Sequence, residues 1–200
     1  MEPLRDSMTI DADQAARARD DAAKAALVAV AWGDVPAFRR VVDAYGDAMH
    51  AFALRMLGSR AEACDATQEV FLRAFRSAAR YDPAGPLRPW LYAIARNVCL
   101  NLLSRRRRDA SLSPELAAAT DPANELDARR GVARLERALE TLEPRSRELI
   151  VLHFIEGLDY DEISRVTGDS PGALRVRLHR ARETLKALLE DDEAPERRRR

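Results

Sequence analysis

The sequence predicts an all-α protein built from two small helical domains. Ala, Leu, Arg and Glu, which all favour helices, dominate its 200 residues. Apolar residues recur at steps of three and four along several segments, which is the spacing of amphipathic helices. Strict alternation of Val, Ile or Thr with polar residues, the pattern of half-buried strands, is absent from the sequence. An apolar fraction of 46% supports buried cores, and the length suits two small domains.

Composition indicates five segments. Residues 1–32 are rich in Ala and Asp and form an N-terminal extension without an assigned role, whose true start is either Met1 or Met8. Residues 33–108 and 132–190 form the two domains, and residues 191–200 form a charged tail. Residues 109–131 contain Ser, Pro and five acidic side chains with little to pack, so we expect a flexible acidic linker.

Three helices are predicted for the first domain. The first starts near Val35 and ends at Gly58, and Ser59 is placed to cap the second. A loop at residues 81–86 precedes the third helix, which ends in four arginines at residues 105–108. Each helix has one apolar face, so the three faces can form a shared core. These faces comprise Phe38, Val41, Val42, Tyr45, Met49, Phe52, Met56 and Leu57; Ala63, Ala66, Val70, Phe71, Ala74 and Phe75; and Leu91, Ile94, Ala95, Val98 and Leu102.

The second domain is predicted to end in a helix-turn-helix. An apolar stripe comes first and consists of Val132, Leu135, Leu139 and Leu142. A helix then starts at Pro144 and ends at Gly157. A short helix follows at residues 160–166, and Gly168 supplies the left-handed residue of the turn at residues 167–169. Ser170 caps a long helix that runs from Pro171 to about Leu189.

The long helix has an apolar face and a cationic face. The apolar face comprises Leu174, Leu178, Ala181, Leu185 and Leu188, and the cationic face comprises Arg175, Arg177, Arg180, Arg182 and Lys186. Cations at a helix N-terminus suit DNA phosphates, and guanidinium groups can bind guanine edges in the major groove. The charges taken by themselves would be explained by an ordinary solvated helix surface. The turn, the cap and the predominance of positive charge on this one face favour DNA binding.

Charge and aromatic residues indicate partners for the first domain. The chain is neutral overall, yet residues 33–108 carry thirteen basic and seven acidic side chains, which indicates a polyanion partner. Trp90 and Tyr92 stand among Arg80, Arg88, Arg96 and Asn97, a mixture that suits unstacked single-stranded bases, although the two rings would also suit a bundle core. Asp65, Gln68 and Glu69 share one helix face, which suits either a basic partner or solvent.

Two parts of the sequence resemble a known family. The strings DATQEVFLRAF at residues 65–75 and PWLYAIARN at residues 89–97 resemble the second conserved region of sigma-70 factors, as do residues 103–108. Residues 142–185, with LDYDEI at 158–163 and RLHRAR at 177–182, resemble the fourth region. Together they cover about three quarters of the chain. Their order and short separation resemble the extracytoplasmic-function (ECF) group, which lacks the first and third regions.

The resemblance implies a sigma factor that binds core RNA polymerase and directs promoter recognition, DNA melting and transcription initiation for a specific regulon. The first domain would dock on the clamp helices of the largest polymerase subunit through Asp65, Gln68, Glu69 and Phe71. It would bind the promoter −10 element through Arg80, Tyr81, Arg88, Trp90, Tyr92, Arg96 and Asn97. The second domain would contact the polymerase flap and bind the −35 element through Ser170, Arg175, Val176, Arg177, His179 and Arg180. An anti-sigma factor is a further implied partner.

Val176 and the proline-rich stretch at residues 83–89 depart from the family's pattern, so the base preferences are not carried over. The alternative function is a helix-turn-helix regulator that binds duplex DNA without polymerase, usually as a symmetric dimer. The first domain favours the sigma factor, because a regulator has no need for a polymerase-docking string.

Other classes lack support in the sequence. It contains no nucleotide-binding loop or nucleophile elbow, and His50, His153 and His179 are scattered, so we expect no enzyme, cofactor or metal. No apolar run is long enough to span a membrane and no signal peptide is present, so a cytoplasmic location is expected. Cys64 and Cys99 lie far apart and are expected to be small core residues.

Overall fold

The computed structural model describes the backbone of residues 3–112 and 128–197, and it confirms the all-α prediction. In these two ranges the chain forms helices and no strand. The α-helices are α1 (Pro3–Ala31), α2 (Phe38–Leu57), α3 (Arg60–Arg76), α4 (Leu87–Leu112), α5 (Ala128–Thr141), α6 (Pro144–Ile150), α7 (Tyr160–Thr167) and α8 (Pro171–Arg197). No helix among the described residues is both long and apolar enough to cross a bilayer. Most of the predicted linker lies outside the described residues.

The first domain is a bundle of α1 to α4. The predicted apolar faces of α2, α3 and α4 meet in one core, where Met49, Phe52 and Leu91 are fully buried. Helix α1, which the sequence left without a role, contributes Leu27 and neighbouring Ala side chains to the same core. The packed unit therefore includes a helix that precedes the predicted boundary at residue 33.

Local signals set the ends of α2 and α3 where the sequence predicted them. Gly58 ends α2 with a φ of 70°, a left-handed conformation that costs glycine little. The next residue, Ser59, is extended, and its hydroxyl accepts a hydrogen bond from the Glu62 amide at 3.4 Å. The resulting tight turn makes α2 and α3 antiparallel neighbours. The α4 helix continues to Leu112, past the end that was predicted at residue 108.

The second domain consists of α5 to α8. The Glu143 carboxylate caps α6 by accepting hydrogen bonds from the Arg145 and Ser146 amides at 3.0 and 3.2 Å. A π-helical turn, Val151–Ile155, continues α6 and ends before Gly157. The core of this domain contains Leu139, Leu149, Leu152, Ile163, Leu174 and Leu178.

The two domains pack directly against each other, which the sequence did not predict. Helix α4 contacts α6 and α7, and α2 contacts α5 and α6. At the centre lies Arg147, which is 6% exposed and donates hydrogen bonds to the backbone carbonyls of Met56, Glu140 and Leu142. These carbonyls belong to the C-terminal ends of α2 and α5, where backbone carbonyls have no N–H donor within their own helix. One guanidinium therefore supplies hydrogen bonds to two helix termini from different domains.

Candidate nucleic-acid interface

The helix-turn-helix has the predicted geometry. The Asp159 carboxylate accepts a hydrogen bond from the Glu162 amide at 2.8 Å, and the Glu162 carboxylate accepts one from the Asp159 amide at 3.0 Å. This reciprocal cap starts α7, and Gly168 ends it with a φ of 79°. The Ser170 hydroxyl then accepts a hydrogen bond from the Ala173 amide at 3.3 Å and caps α8.

The outer face of α8 presents a row of side chains to solvent. Leu174, Leu178 and Ala181 are buried, which turns the opposite face outward. That face exposes Ser170, Arg175, Val176, His179 and Arg180. A cationic helix of this shape fits the major groove of DNA.

Two arginines of this face are held by neighbouring side chains. The Arg175 guanidinium lies 5.3 Å from the centre of the Tyr160 ring, which fixes its direction by a cation–π contact. Arg177 is partly buried and pairs with the Asp169 carboxylate in the turn. The predicted α8 arginines therefore differ in availability: Arg180 is exposed without such a contact to the turn, whereas Arg177 is engaged within the domain.

The aromatic residues predicted to bind the −10 element are mostly packed. Tyr92 is 1% exposed, and its ring meets that of Phe52 edge to face at 5.4 Å. Tyr81 is also buried, and its hydroxyl donates a hydrogen bond to the Gly85 carbonyl at 2.7 Å, which shapes the loop. Trp90 lies half-buried against the Tyr81 ring at 5.1 Å. Packing in the bundle, the simpler explanation of these rings, accounts for Tyr81 and Tyr92 in this arrangement.

The predicted −10 cations on α4 contact the second domain. The Arg88 guanidinium donates a hydrogen bond to the backbone carbonyl of Glu156. The Tyr92 hydroxyl donates one to the Glu156 carboxylate at 2.5 Å. Burial raises the pKa of Tyr92, and this hydrogen bond raises it further. Arg96 forms an ion pair with the fully buried Glu148 at 2.9 Å. Arg80 and Asn97 remain exposed.

Two of the predicted polymerase-docking residues, Gln68 and Phe71, line a groove between α2 and α3. Asp65 and Gln68 are exposed, and Glu69 pairs with Arg73 at 2.6 Å. Phe71 is only 8% exposed because its ring packs edge to face on Phe38 at 6.3 Å, so it forms the floor of the groove. The groove has a volume of about 650 Å³ and is mainly apolar.

Sequence reasoning missed two residues that line this groove. Leu72 is 42% exposed at its rim. Its position four residues after Gln68, on the face that also carries Asp65, was a usable signal. Cys64 is also exposed in the groove, so its prediction as a core residue is wrong, whereas Cys99 is buried as predicted. The physical reason is that one residue step along an α-helix turns the side-chain direction by about 100°. Cys64 follows the core-facing Ala63, and it therefore points into the groove, on the stripe that also carries Gln68 and Phe71.

No group of three or more potential metal ligands occurs among the described side chains. The candidate interface consists of two cationic helices, α4 and α8, and of an acidic and apolar face on α3, which packs against α4. Such a set defines a DNA-binding protein with a separate surface for a protein partner.

Comparison with known proteins agrees with this description and narrows the class of protein to one family. The profile of Sigma-70 region 2 matches residues 41–109, and that of Sigma-70, region 4 matches residues 133–185. The ECF RNA polymerase sigma factor SigE of Mycolicibacterium smegmatis is 38% identical over 162 residues, which span 78% of this chain and 62% of SigE. The RNA polymerase sigma factor CarQ of Myxococcus xanthus is 37% identical, over 78% of this chain and 91% of CarQ.

Among solved structures, CnrH in complex with the cytosolic domain of CnrY has a TM-score of 0.66 and 30% identity, and the match covers 86% of this chain and 99% of CnrH. The chain therefore belongs to the sigma-70 family, in its ECF group. It is an RNA polymerase-binding factor that directs promoter-specific transcription initiation, and sigma factors as a family are regulatory proteins rather than catalysts.

Proposed function

We propose that three surfaces of this sigma factor bind three different targets: α3 binds the polymerase, α4 with its preceding loop binds the −10 element, and α8 binds the −35 element. The observation that carries the proposal is the packing of α3, with its acidic and apolar outer face, against the cationic α4 in the same bundle. One domain can then hold the enzyme and the melted strand at the same time.

Docking through α3 is supported by the chemistry of its outer face. Asp65, Gln68 and Glu69 offer hydrogen-bond acceptors and negative charge, and Leu72 adds an exposed apolar contact beside them. A basic amphipathic helix pair, such as the clamp helices of the largest polymerase subunit, complements that combination. The second domain would contact the polymerase flap in the same complex.

Binding of the −10 element through α4 is supported by charge and by one available ring. Arg80, Arg88 and Arg96 can neutralise backbone phosphates, and the exposed part of Trp90 offers a stacking surface. Melting would then be driven by capture of unstacked bases, without hydrolysis of a nucleotide.

Binding of the −35 element through α8 is supported by two guanidinium groups. That of Arg180 is exposed to solvent, and that of Arg175 is held in position by the Tyr160 ring. Val176 is 53% exposed at the centre of this face and has no hydrogen-bonding group. It would contribute an apolar contact, for which the methyl group of thymine is the natural counterpart in the major groove.

We further propose that the protein acts in the cytoplasm, where polymerase and promoter DNA are, and that it has no catalytic activity of its own. An anti-sigma factor is proposed as its inhibitor, since the structural relative RpoE of Bartonella quintana was solved in complex with the anti-sigma factor NepR.

The proposal is tested by adding the full-length protein to core polymerase and sequencing run-off transcripts from genomic DNA. We expect transcripts with defined start sites that core polymerase alone does not give. The double variant Gln68→Ala, Glu69→Ala should weaken co-purification with core polymerase at least tenfold, the order expected from losing two polar contacts. The matched control is Glu183→Ala, which removes an exposed carboxylate on α8 instead. Equal binding by the double variant and the control would refute docking through α3.

A further inference from the structure

Tyr160 lies outside the residues predicted to bind the −35 element, yet its ring contacts one of them. The guanidinium carbon of Arg175 lies 5.3 Å from the centre of the Tyr160 ring. Arg175 is otherwise exposed, and among the residues that the structure describes its guanidinium has neither an ion pair nor a hydrogen bond. The ring is therefore the contact that restricts the direction of this guanidinium on the outer face of α8.

The Tyr160 ring is itself held in place by its neighbours. Tyr160 is the first residue of α7, directly after the Asp159 cap, so its backbone is fixed. Its ring lies 5.1 Å from the His153 ring, and the two ring planes are tilted by only 32°. The His153 Nδ1 donates a hydrogen bond of 2.9 Å to the backbone carbonyl of Leu158, which is a buried residue. A chain of contacts thus runs from the buried backbone through His153 and Tyr160 to Arg175.

A neutral ring orients a cation without neutralising its charge. Arg177, by contrast, pairs with the Asp169 carboxylate, so part of its charge and of its hydrogen-bonding capacity is used within the domain. The cation–π contact of Arg175 is made with the face of the Tyr160 ring, and it leaves the N–H groups of the guanidinium available to a further partner. It also restricts a flexible side chain before DNA arrives, which lowers the conformational entropy that is lost on binding.

We propose that Tyr160 is a positioning residue for −35 recognition, because its ring directs the Arg175 guanidinium toward a guanine in the major groove. The inference rests on the proposed function of α8. A guanidinium binds guanine O6 and N7 through a pair of parallel hydrogen bonds, and this geometry depends on the direction of its plane. A phosphate accepts hydrogen bonds from many directions, so a fixed direction favours a base over a phosphate as the target. Arg180, on the same exposed face, has no ring contact among the described residues and serves as the comparison.

The positioning role predicts a loss of discrimination at a single G·C base pair of the −35 element. Tyr160→Leu keeps an apolar side chain and removes the ring, so preference for that pair should fall roughly two- to fivefold, the factor expected for an exposed cation–π contact. Tyr160→Phe keeps the ring and should retain the preference of the unmodified protein. Arg175→Ala should lower the preference at the same pair by at least about fivefold, and adding Tyr160→Leu to it should change nothing further.

The experiment uses the full-length protein bound to core polymerase and a promoter fragment obtained from the run-off transcripts. Each base pair of the −35 element is replaced in turn, and competition binding gives the ratio of Kd values for the original and the replaced pair. The matched control places Tyr160→Leu in an Arg180→Ala background. Since the ring contacts Arg175 and not Arg180, Tyr160→Leu should keep its full factor there.

A second measurement follows the Arg175 side chain without polymerase or DNA. In the full-length protein the NMR signal of the Arg175 Nε–H group is assigned by its loss in Arg175→Ala. A nearby aromatic ring shifts such a signal through its ring current. Tyr160→Leu should therefore move the signal toward the position typical of an exposed arginine, and Tyr160→Phe should leave it displaced.

Three binding results would overturn the positioning role. In the first, Tyr160→Leu keeps the unmodified preference or weakens binding equally at every base pair. In the second, it costs the same factor in the Arg175→Ala background, which would mean that the ring acts through another residue. In the third, Tyr160→Phe loses as much preference as Tyr160→Leu, which would assign the effect to the hydroxyl. An Arg175 signal that is the same with and without the ring would overturn it as well.

Circular dichroism verifies that each variant is folded. Tyr160→Met, with a flexible side chain that fills the space of the ring, provides the same test if Tyr160→Leu is unfolded. Failure of the proposed function is distinguishable, because the unmodified protein would then give no promoter-specific transcripts with core polymerase. Failure of the positioning role alone leaves those transcripts intact and leaves only the preference at the −35 element unaffected by the ring.

Discussion

Replacement of Arg147 by Ala provides the sharpest test of how the two domains are held together. Its guanidinium donates to three backbone carbonyls, those of Met56, Glu140 and Leu142, at a site where Arg147 is 6% exposed. A buried acceptor that loses its donor costs about 1–3 kcal/mol. Since water can enter the space that the side chain leaves, we expect the free energy of unfolding to fall by about 3–5 kcal/mol rather than by the full sum.

Urea unfolding measures this loss with two signals. Both tryptophans, Trp32 and Trp90, belong to the first half of the chain, so their fluorescence reports that half, whereas circular dichroism reports every helix. Arg147→Ala should lower the midpoint seen by circular dichroism by roughly 1–3 M urea. It should also separate the two transitions, because the contact between α2 and α6 is lost. Arg147→Lys should recover only part of the stability, since an ammonium group cannot bridge two helix ends as the planar guanidinium does.

The exposed neighbour Arg145 provides the matched control. Arg145→Ala removes the same charge from α6 without breaking a buried contact, so it should change stability by less than about 0.5 kcal/mol. A loss of under about 1 kcal/mol for Arg147→Ala, or a loss equal to that of Arg145→Ala, would refute the idea that this guanidinium joins the domains.

Three further predictions concern single sites. Only Cys64 should react with a thiol reagent at pH 8 in the folded protein, because burial raises the pKa of Cys99 to about 12; rapid reaction of both thiols in a mass-spectrometric count would contradict this. Gly58→Ala should lower stability by about 1–2 kcal/mol, because φ is 70° there and a residue with a Cβ is strained in that left-handed conformation. The Glu140 carboxylate oxygen that the added methyl would meet at 2.7 Å is the end of a flexible side chain and can move away, so an unchanged Tm would argue against backbone strain at this position. Arg180→Ala should cost roughly 1–3 kcal/mol in discrimination between −35 sequences if its guanidinium contacts a base, whereas equal weakening on all sequences would make it a phosphate contact.

The helix ends and helix faces that are set by residues close together in the sequence could be predicted from the sequence. The start and end of α2, the cap at Ser59 and the turn at Gly168 follow from the conformational preferences of single residues and from apolar spacing. The inward face of α8 follows from the same periodicity, and so does its cationic outer face. Each of these signals acts over a few residues, so contacts with distant parts of the chain change their outcome little.

The functional surfaces could be predicted only in outline. Asp65 and Gln68 are exposed as a docking face requires, but the apolar groove beside them depends on how α2 and α3 pack. Tyr92 was open to two explanations, in the core or against a base, and its sequence neighbours could not separate them. The packing of Phe52 against its ring selects the core in this arrangement.

The sequence by itself determined that this chain is an all-α sigma factor with a helix-turn-helix, because periodicity, capping and motif order are properties of the linear chain. Tertiary structure alone decided which of the predicted DNA-binding side chains are available. Tyr92 and Glu156 are 64 positions apart and Arg147 and Met56 are 91 apart, and no local preference brings such pairs together. Their contacts arise because both domains bury apolar surface and satisfy helix ends against each other, a result of three-dimensional packing that sequence spacing does not contain.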